Sequence, residues 1–182
     1  DDADADTAGP ADETGPTDER TNQDGQPPEP APDYPPPYGV PCPPSTARER
    51  VRCSHRVDPE TAPVSLTAQP ASPGRQQAAE TRLTLSNQSA RSLTFNPHSW
   101  EVRYWTESGW ESIARRRAGD GAVTLAPGER HSWTFAAVVD AINGAVTLPP
   151  GLYAAELGVP TPTGDGRTAH IALVELGPGR ER

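Results

Sequence analysis

From Pro63 onward, apolar and polar residues alternate in short runs that turn residues separate. The runs PVSLTAQ, ETRLTLSN and SLTFN each place large apolar side chains two residues apart. A period of two is that of a β-strand with one buried face, and strands this short need a second sheet to cover that face. We therefore predict an all-β protein, an antiparallel β-sandwich of eight or nine short strands spanning residues 62–176.

Individual strands follow from the same alternation. The polar stretch SNQSAR is predicted to turn a hairpin in which Leu85 faces Leu93. In SWEVRYW, Trp100 and Tyr104 share one face and Trp105 takes the other. The runs GLYAAELGV and RTAHIALVEL predict two late strands with the inward residues Tyr153, Ala155, Leu157 and Val159, then Ala169, Ile171 and Leu173. The segment DAINGAV, residues 140–146, breaks the alternation and fits either a helical turn or a loop.

Residues 1–61 have a different composition. The first 60 residues hold 14 Asp and Glu against 5 Arg, and 13 of the 23 prolines. So few large apolar side chains cannot offset the entropy of ordering the chain, and we predict a disordered, acidic, proline-rich leader. The run QPPEPAPDYPPPYGVPCPP favours a stiff polyproline II stalk or, through Tyr34 and Tyr38, a docking strip for aromatic grooves. Residues 177–182 are predicted to be a tail.

The start of the chain suggests export. The sequence begins at Asp1, has no Met, and takes all of its basic residues as Arg. We expect a processed chain from which a signal peptide was removed, located outside the cell or at the cell surface. No apolar run is long enough for a transmembrane segment, so a lipid on a preceding Cys is one expected anchor. The use of Arg for Lys suggests a high-GC genome and a saline habitat.

Two later motifs carry a resemblance to known proteins. TLAPGERHSWTF followed by LPPGLYAAEL resembles the immunoglobulin-like domains of exported bacterial and archaeal proteins, and LTFNPHSWEVRYWTESGWESI is most similar to secreted or lipid-anchored haloarchaeal proteins. The layout is also similar to the intracellular proteinase inhibitor domain of bacilli. The resemblance covers residues 62–176 and implies an immunoglobulin-like sandwich. Tyr153 stands where a tyrosine corner folds its hydroxyl back onto the backbone, and Ala155 stands where an immunoglobulin domain has its second Cys.

Catalytic and metal-binding motifs are missing from the sequence. Cys42 and Cys53, the only cysteines, are expected to form a disulfide, because an even pair in an exported chain is most simply oxidised. A metal site with His55 as third ligand lacks a fourth. The histidines stand in no nucleophile or metalloprotease motif, so we expect no enzyme, no cofactor and no metal.

Surface features give the remaining candidates. Trp105 and Trp110, with the basic cluster Arg115, Arg116 and Arg117, are predicted to form a binding patch for a protein or glycan, a neighbouring copy or the acidic leader. Alternatively, the tryptophans cover a sheet edge and the arginines belong to a solvated loop. A net charge of −9 disfavours nucleic acid as a partner, because it repels phosphates. The triplet Asn87-Gln88-Ser89 is a glycosylation sequon in the predicted turn. Tyr153, Trp100 and Trp133 are assigned to the structure of the domain.

These features predict a non-catalytic exported protein whose sandwich serves binding or structural presentation at the cell envelope. One alternative is a subunit of an extracellular polymer, assembled when leader residues 48–57 add a strand to a neighbour's sheet. Another is a protease-inhibitor-like module with an exposed loop.

Overall fold

The computed structural model describes residues 40–44, 50–69, 77–115, 120–143 and 148–177. Within these ranges the chain forms ten β-strands, a short 3-10 turn at Ser54–Arg56 and one α-helix. The strands are β1 Arg50–Cys53, β2 Val64–Gln69, β3 Arg82–Asn87, β4 Leu93–Phe95, β5 Trp100–Thr106, β6 Gly109–Arg115, β7 Val123–Leu125, β8 Arg130–Thr134, β9 Gly151–Pro160 and β10 Arg167–Leu176, and the helix is α1, Phe135–Asn143. The leader prediction for residues 1–39 and the tail prediction from 178 lie outside the described residues.

The strands form three sheets. The large sheet has the order β1-β10-β9-β5-β6, a second sheet has the order β2-β3-β8, and a small third sheet pairs β4 with β7. Neighbouring strands run antiparallel except for β1, which runs parallel to β10. Nine of the described strands lie between residues 62 and 176. The prediction of an all-β, antiparallel sandwich is therefore confirmed.

The core lies between the large sheet and the two smaller ones. Alternate side chains of β5 and β9 point into it, as the sequence pattern predicts, and α1 closes one side with Phe135 and Val138. We call this side of the large sheet its inner face and the opposite side its outer face. The buried core residues are Val64, Leu66, Leu83, Leu85, Leu93, Phe95, Trp100, Val102, Leu125, Phe135, Val138, Val139, Tyr153, Ala155, Leu157, Val159, Ala172, Val174 and Leu176.

Helix α1 shows that the first part of the segment DAINGAV, residues 140–143, is helical. It begins at Phe135, directly after β8, and includes the first residues of DAINGAV; residues 144–147 lie outside the described part of the chain. The Thr134 hydroxyl accepts a hydrogen bond from the backbone N–H of Ala137, as a capping residue does at the start of a helix. Phe135 therefore reaches the core from the first turn of a helix.

The predicted hairpin between Leu85 and Leu93 is wrong. Strand β3 pairs with β2 and β8, whereas β4 pairs with β7, so the chain crosses from one sheet to another between them. A polar stretch between two apolar runs marks the end of a strand, but it does not show which strand becomes the neighbour.

The prediction of which β10 residues point inward is also wrong. Ala172, Val174 and Leu176 enter the core, while Ile171 and Leu173 belong to a second apolar cluster on the outer face. Because β10 is apolar on both faces, alternation cannot tell which one points inward.

Part of the predicted leader packs onto the sandwich. Residues 40–44 lie against the outer face, and β1 adds a fifth strand to the large sheet. The folded part therefore begins before residue 62, because a disulfide and β-pairing supply what the apolar content of this segment does not.

Candidate functional site

Trp105 and Trp110 form an aromatic pair on the hairpin that joins β5 to β6. The two residues are partners across the strands, and their ring centroids are 5.1 Å apart at an interplanar angle of 64°. Gly109 closes the turn with a φ of 110°, which residues with a side chain rarely adopt. Both indoles are partly exposed. The structure thus brings together the two tryptophans of the predicted patch.

The end of the leader is attached beside this pair. The Trp110 Nε1 donates a hydrogen bond of 2.8 Å to the Pro41 carbonyl oxygen, and His55 Nε2 lies 3.2 Å from the Val40 carbonyl oxygen. Cys42 is joined to Cys53 at the end of β1, which confirms the predicted disulfide. Three separate attachments therefore hold residues 40–42.

The contact between Trp110 and Pro41 has the chemistry of proline recognition. Prolines have no N–H, so a proline-rich chain offers mainly carbonyl oxygens, which indole N–H groups beside aromatic rings bind well. Among the described residues, none forms a hydrogen bond with the Trp105 indole. Trp110 is therefore engaged by the chain itself, while Trp105 presents a polar N–H and an aromatic face.

A small apolar cluster lies beneath residues 40–44. Cys53, Ala154 and Ile171 are buried in it, and the partly buried members are Cys42, Trp110 and Leu173. It is separate from the main core and gives the outer face its own apolar contact with the leader segment.

A buried group of charges occupies the middle of the outer face. The Arg103 guanidinium contacts Glu156 at 2.7 Å and Glu101 at 3.0 Å, and the three side chains are 4%, 10% and 8% exposed. Removing one member of such a group strongly destabilises the fold, because the remaining charges stay buried without their counter-charge. No motif in the sequence predicts this charge group, and its one signal is Glu156 inside the apolar run of β9.

The structure places only the backbone of the basic cluster's first residue. Arg115 ends β6 opposite Glu101, which puts this strand end beside the buried charges. The side chain of Arg115 and the whole of Arg116 and Arg117 lie outside the described part. Their role in the patch stays a prediction.

Tyr153, Trp100 and Trp133 occupy structural positions. The Tyr153 hydroxyl donates a hydrogen bond to the Pro149 carbonyl oxygen, the backbone contact of a tyrosine corner. Trp100 is 2% exposed, and its ring centroid is 5.0 Å from that of the partly buried Trp133. Gly151 also has a steric role, because a Cβ there would clash with the Tyr104 ring.

Asn87, the residue of the predicted glycosylation sequon, is buried and does not lie in the predicted hairpin turn, and its glycosylation stays a prediction. This residue ends β3 with 0% exposure, and its Nδ2 donates to the carbonyl oxygens of Arg91 and Leu125 at 2.8 and 3.0 Å. A glycan would have to replace hydrogen bonds of this buried nitrogen. Asn87 instead ties together two loops where the chain changes sheets.

One buried histidine has an altered pKa. Burial, with a smaller contribution from the positive charge of Arg52, lowers the pKa of His170 to about 4. His170 is 4% exposed and borders a small cavity near β1 and β2. At neutral pH it is therefore an uncharged part of the interior.

Among the described residues, no three His, Cys, Asp or Glu side chains converge to hold a metal ion. None of the helical segments described here has the length and apolarity to cross a membrane. No family model matches the chain, and no protein matches it in a search of curated sequences.

Proposed function

We propose that the chain is an exported, non-catalytic surface protein whose sandwich binds a protein or glycan partner at the cell envelope through the Trp105–Trp110 pair. The observation that carries this proposal is the contact between Trp110 and Pro41, because it pairs an aromatic donor with a proline-rich chain beside a second, partly exposed indole. Trp105 supplies a further aromatic face and N–H to the partner. A proline-rich peptide fits this chemistry, and so does the apolar face of a sugar.

The disulfide supports export. Such bonds persist in oxidising compartments and are rare where thiols are kept reduced. It also gives the stalk a fixed point of attachment, since Cys42 in the proline-rich run is joined to the end of β1.

Binding is tested on the full chain with two probes, a synthetic peptide of the sequence YPPPY and a hexamer of N-acetylglucosamine. The readout is the set of four indole N–H resonances, assigned by single Trp→Phe variants. We expect one probe to shift the Trp105 resonance in a saturable way, and Trp105→Ala to abolish binding. Trp133→Phe is the matched control, because this residue packs against the core and should leave binding unchanged. Failure of both probes to move the Trp105 resonance would contradict the proposal.

Export is tested by fractionating the cells that produce the protein and alkylating its thiols before and after reduction. We expect the chain outside the cytoplasm with both cysteines protected until reduction. A cytoplasmic chain with two free thiols would be the contrary result.

A further inference from the structure

The second sheet, β2-β3-β8, has one side that faces away from the core. On β3 and β8, the residues that alternate with the core-facing Leu83, Leu85 and Trp133 point to this side. Ser86 is buried among them, and the other five form what we call the hydroxyl face: Arg82, Thr84, Arg130, Ser132 and Thr134. Four of the five are exposed, Thr84 is half-buried, and none of them is apolar or acidic.

Strand pairing separates the two arginines of the hydroxyl face. Arg82 is the direct partner of Thr134, and Arg130 lies four residues from Thr134 along β8. At about 3.4 Å per residue and about 4.8 Å between strands, the two arginine Cα atoms are about 14 Å apart. Thr84 and Ser132, which are direct partners, lie between them. The face therefore presents two positive charges on either side of a pair of hydroxyl groups.

The hydroxyl face offers hydrogen-bond donors to a ligand. Thr84 Oγ1 and Ser132 Oγ are 2.9 Å apart, and because one hydrogen lies between them, the other hydroxyl hydrogen is left for a ligand. The Thr134 hydroxyl oxygen accepts the backbone N–H of Ala137, so its own hydrogen is left as well. Among the described residues, none forms an ion pair or a hydrogen bond with the guanidinium of Arg82 or Arg130.

The acidic residues nearest in sequence lie outside the hydroxyl face. Glu80 precedes β3, and Glu129 precedes β8. The Glu129 carboxylate accepts the backbone N–H of Ala126 at 2.8 Å, which holds it in the turn before β8. Positive charge and hydrogen-bond donors together fit a ligand with anionic groups, and a guanidinium binds a carboxylate through two parallel hydrogen bonds.

The composition of the hydroxyl face distinguishes among anionic ligands. Protein partners are anchored by buried aromatic and aliphatic side chains, and single-stranded nucleic acids stack their bases on aromatic rings. The hydroxyl face has neither kind of side chain. Its hydroxyl groups match those of sugars, since each can donate and accept a hydrogen bond. The separation of the two arginines favours a ligand that repeats its anionic group along a chain.

We propose that the hydroxyl face binds a polysaccharide built of uronic acids. Carboxylates of two sugar units bind Arg82 and Arg130, and hydroxyl groups of the units between them bind Thr84 and Ser132. This face and the Trp105–Trp110 pair lie on opposite sides of the sandwich. The proposal therefore goes beyond the proposed function and does not depend on it.

The test is a titration of the 15N-labelled full chain with an octamer of galacturonic acid. We expect saturable shifts of the backbone amide resonances of β3 and β8, centred on Thr84 and Ser132, and unchanged indole resonances of Trp105 and Trp110. Absence of saturable shifts in β3 and β8 would overturn the proposal. This measurement uses the unmodified chain, so it gives a result even if variants fail to fold.

Arg82→Gln and Arg130→Gln test the contacts with the carboxylates. Each should weaken octamer binding about tenfold, because each removes hydrogen bonds to a charged group. Arg167→Gln is the matched control, since Arg167 is exposed and lies on the same side of β10 as Ile171, on the outer face of the large sheet. It removes the same charge and should leave octamer binding unchanged. Equal weakening by all three substitutions would show that net charge controls binding, and would overturn the proposal.

Two ligands of the same length test the ligand class: the neutral glucose octamer maltooctaose and a peptide of eight glutamates. We expect neither to produce saturable shifts in β3 and β8. Binding of the peptide as tight as that of the sugar acid would assign the face to acidic protein segments, and equal binding of maltooctaose would remove the arginines from the account; either result overturns the proposal. Trp105→Ala separates this proposal from the proposed function, since it should abolish binding at the aromatic pair and leave octamer binding intact.

Discussion

The two faces of the large sheet differ in what stabilises them. The inner face is covered by aliphatic and aromatic side chains from β2, β3 and α1, whereas the outer face combines a buried charge group, an aromatic pair and a segment attached by a disulfide. Side chains on the inner face stabilise the fold through the volume they fill. Those on the outer face stabilise it through specific ion pairs, hydrogen bonds and the disulfide. Both faces therefore stabilise the fold, the inner one by packing and the outer one by specific contacts, and the recognition that we propose uses the outer face.

Among the changes that test this comparison of the two faces, the largest loss of stability is expected from substituting Arg103. Arg103→Met should lower the free energy of unfolding by about 3 to 5 kcal/mol, because Glu101 and Glu156 stay buried without the guanidinium. The triple variant Arg103→Met, Glu101→Gln and Glu156→Gln should lose less, since the buried charges leave together. Urea unfolding of both variants measures this, and a loss below about 1 kcal/mol for Arg103→Met would show that charge does not dominate here.

A somewhat smaller change in the free energy of unfolding is expected when the pH is lowered, because of His170. His170 takes up a proton near pH 6.5 when unfolded but only near pH 4 when folded, so the unfolded chain binds more protons between these values. Stability from this residue is therefore full above pH 6.5 and falls by about 3 kcal/mol as the pH drops to 4. Among the residues that border the cavity, Arg52 carries the positive charge that also disfavours protonated His170.

The pH effect is measured by comparing unfolding of the protein and of His170→Gln across this range. Subtracting the two curves removes the contribution of the carboxylates. Parallel curves would mean that His170 is protonated as easily in the folded chain as in the unfolded one.

The smallest of these effects is expected at Tyr153. Tyr153→Phe keeps the ring in the core and removes the hydroxyl that donates to the Pro149 carbonyl oxygen. The free energy of unfolding should therefore fall by about 1 kcal/mol. Tyr104→Phe, which removes a longer hydrogen bond of 3.2 Å to Pro150, is the matched control and should cost less. An unchanged denaturation midpoint for Tyr153→Phe would remove the tyrosine corner from the account.

Alternation predicted the inner face well because one side of β5 is apolar and the other carries charges. Trp100 and Val102 point into the core, and Trp105 lies on the opposite side next to Trp110. The same argument failed for β10, whose faces are both apolar and both covered. Periodicity finds the buried face only where the other face is polar.

Contacts between distant segments were out of reach of the sequence. Asn87 has the residue type and spacing of an exposed sequon, yet it binds backbone groups 4 and 38 residues away. The attachment of Pro41 to Trp110 spans 69 residues. Local pattern indicates which residues form strands, while such polar contacts depend on how the sheets are assembled.

The division of roles between the two faces is tested most directly by measuring the unfolding free energies of Trp100→Ala and Trp105→Ala side by side. Trp100 is 2% exposed and its Nε1 donates to the Pro97 carbonyl oxygen, so its removal should leave a cavity and cost about 3 to 5 kcal/mol. Trp105 is partly exposed on the outer face, and its removal should change stability by less than about 1 kcal/mol while abolishing probe binding. Equal losses from the two substitutions would show that Trp105 is part of the core, and would contradict the account.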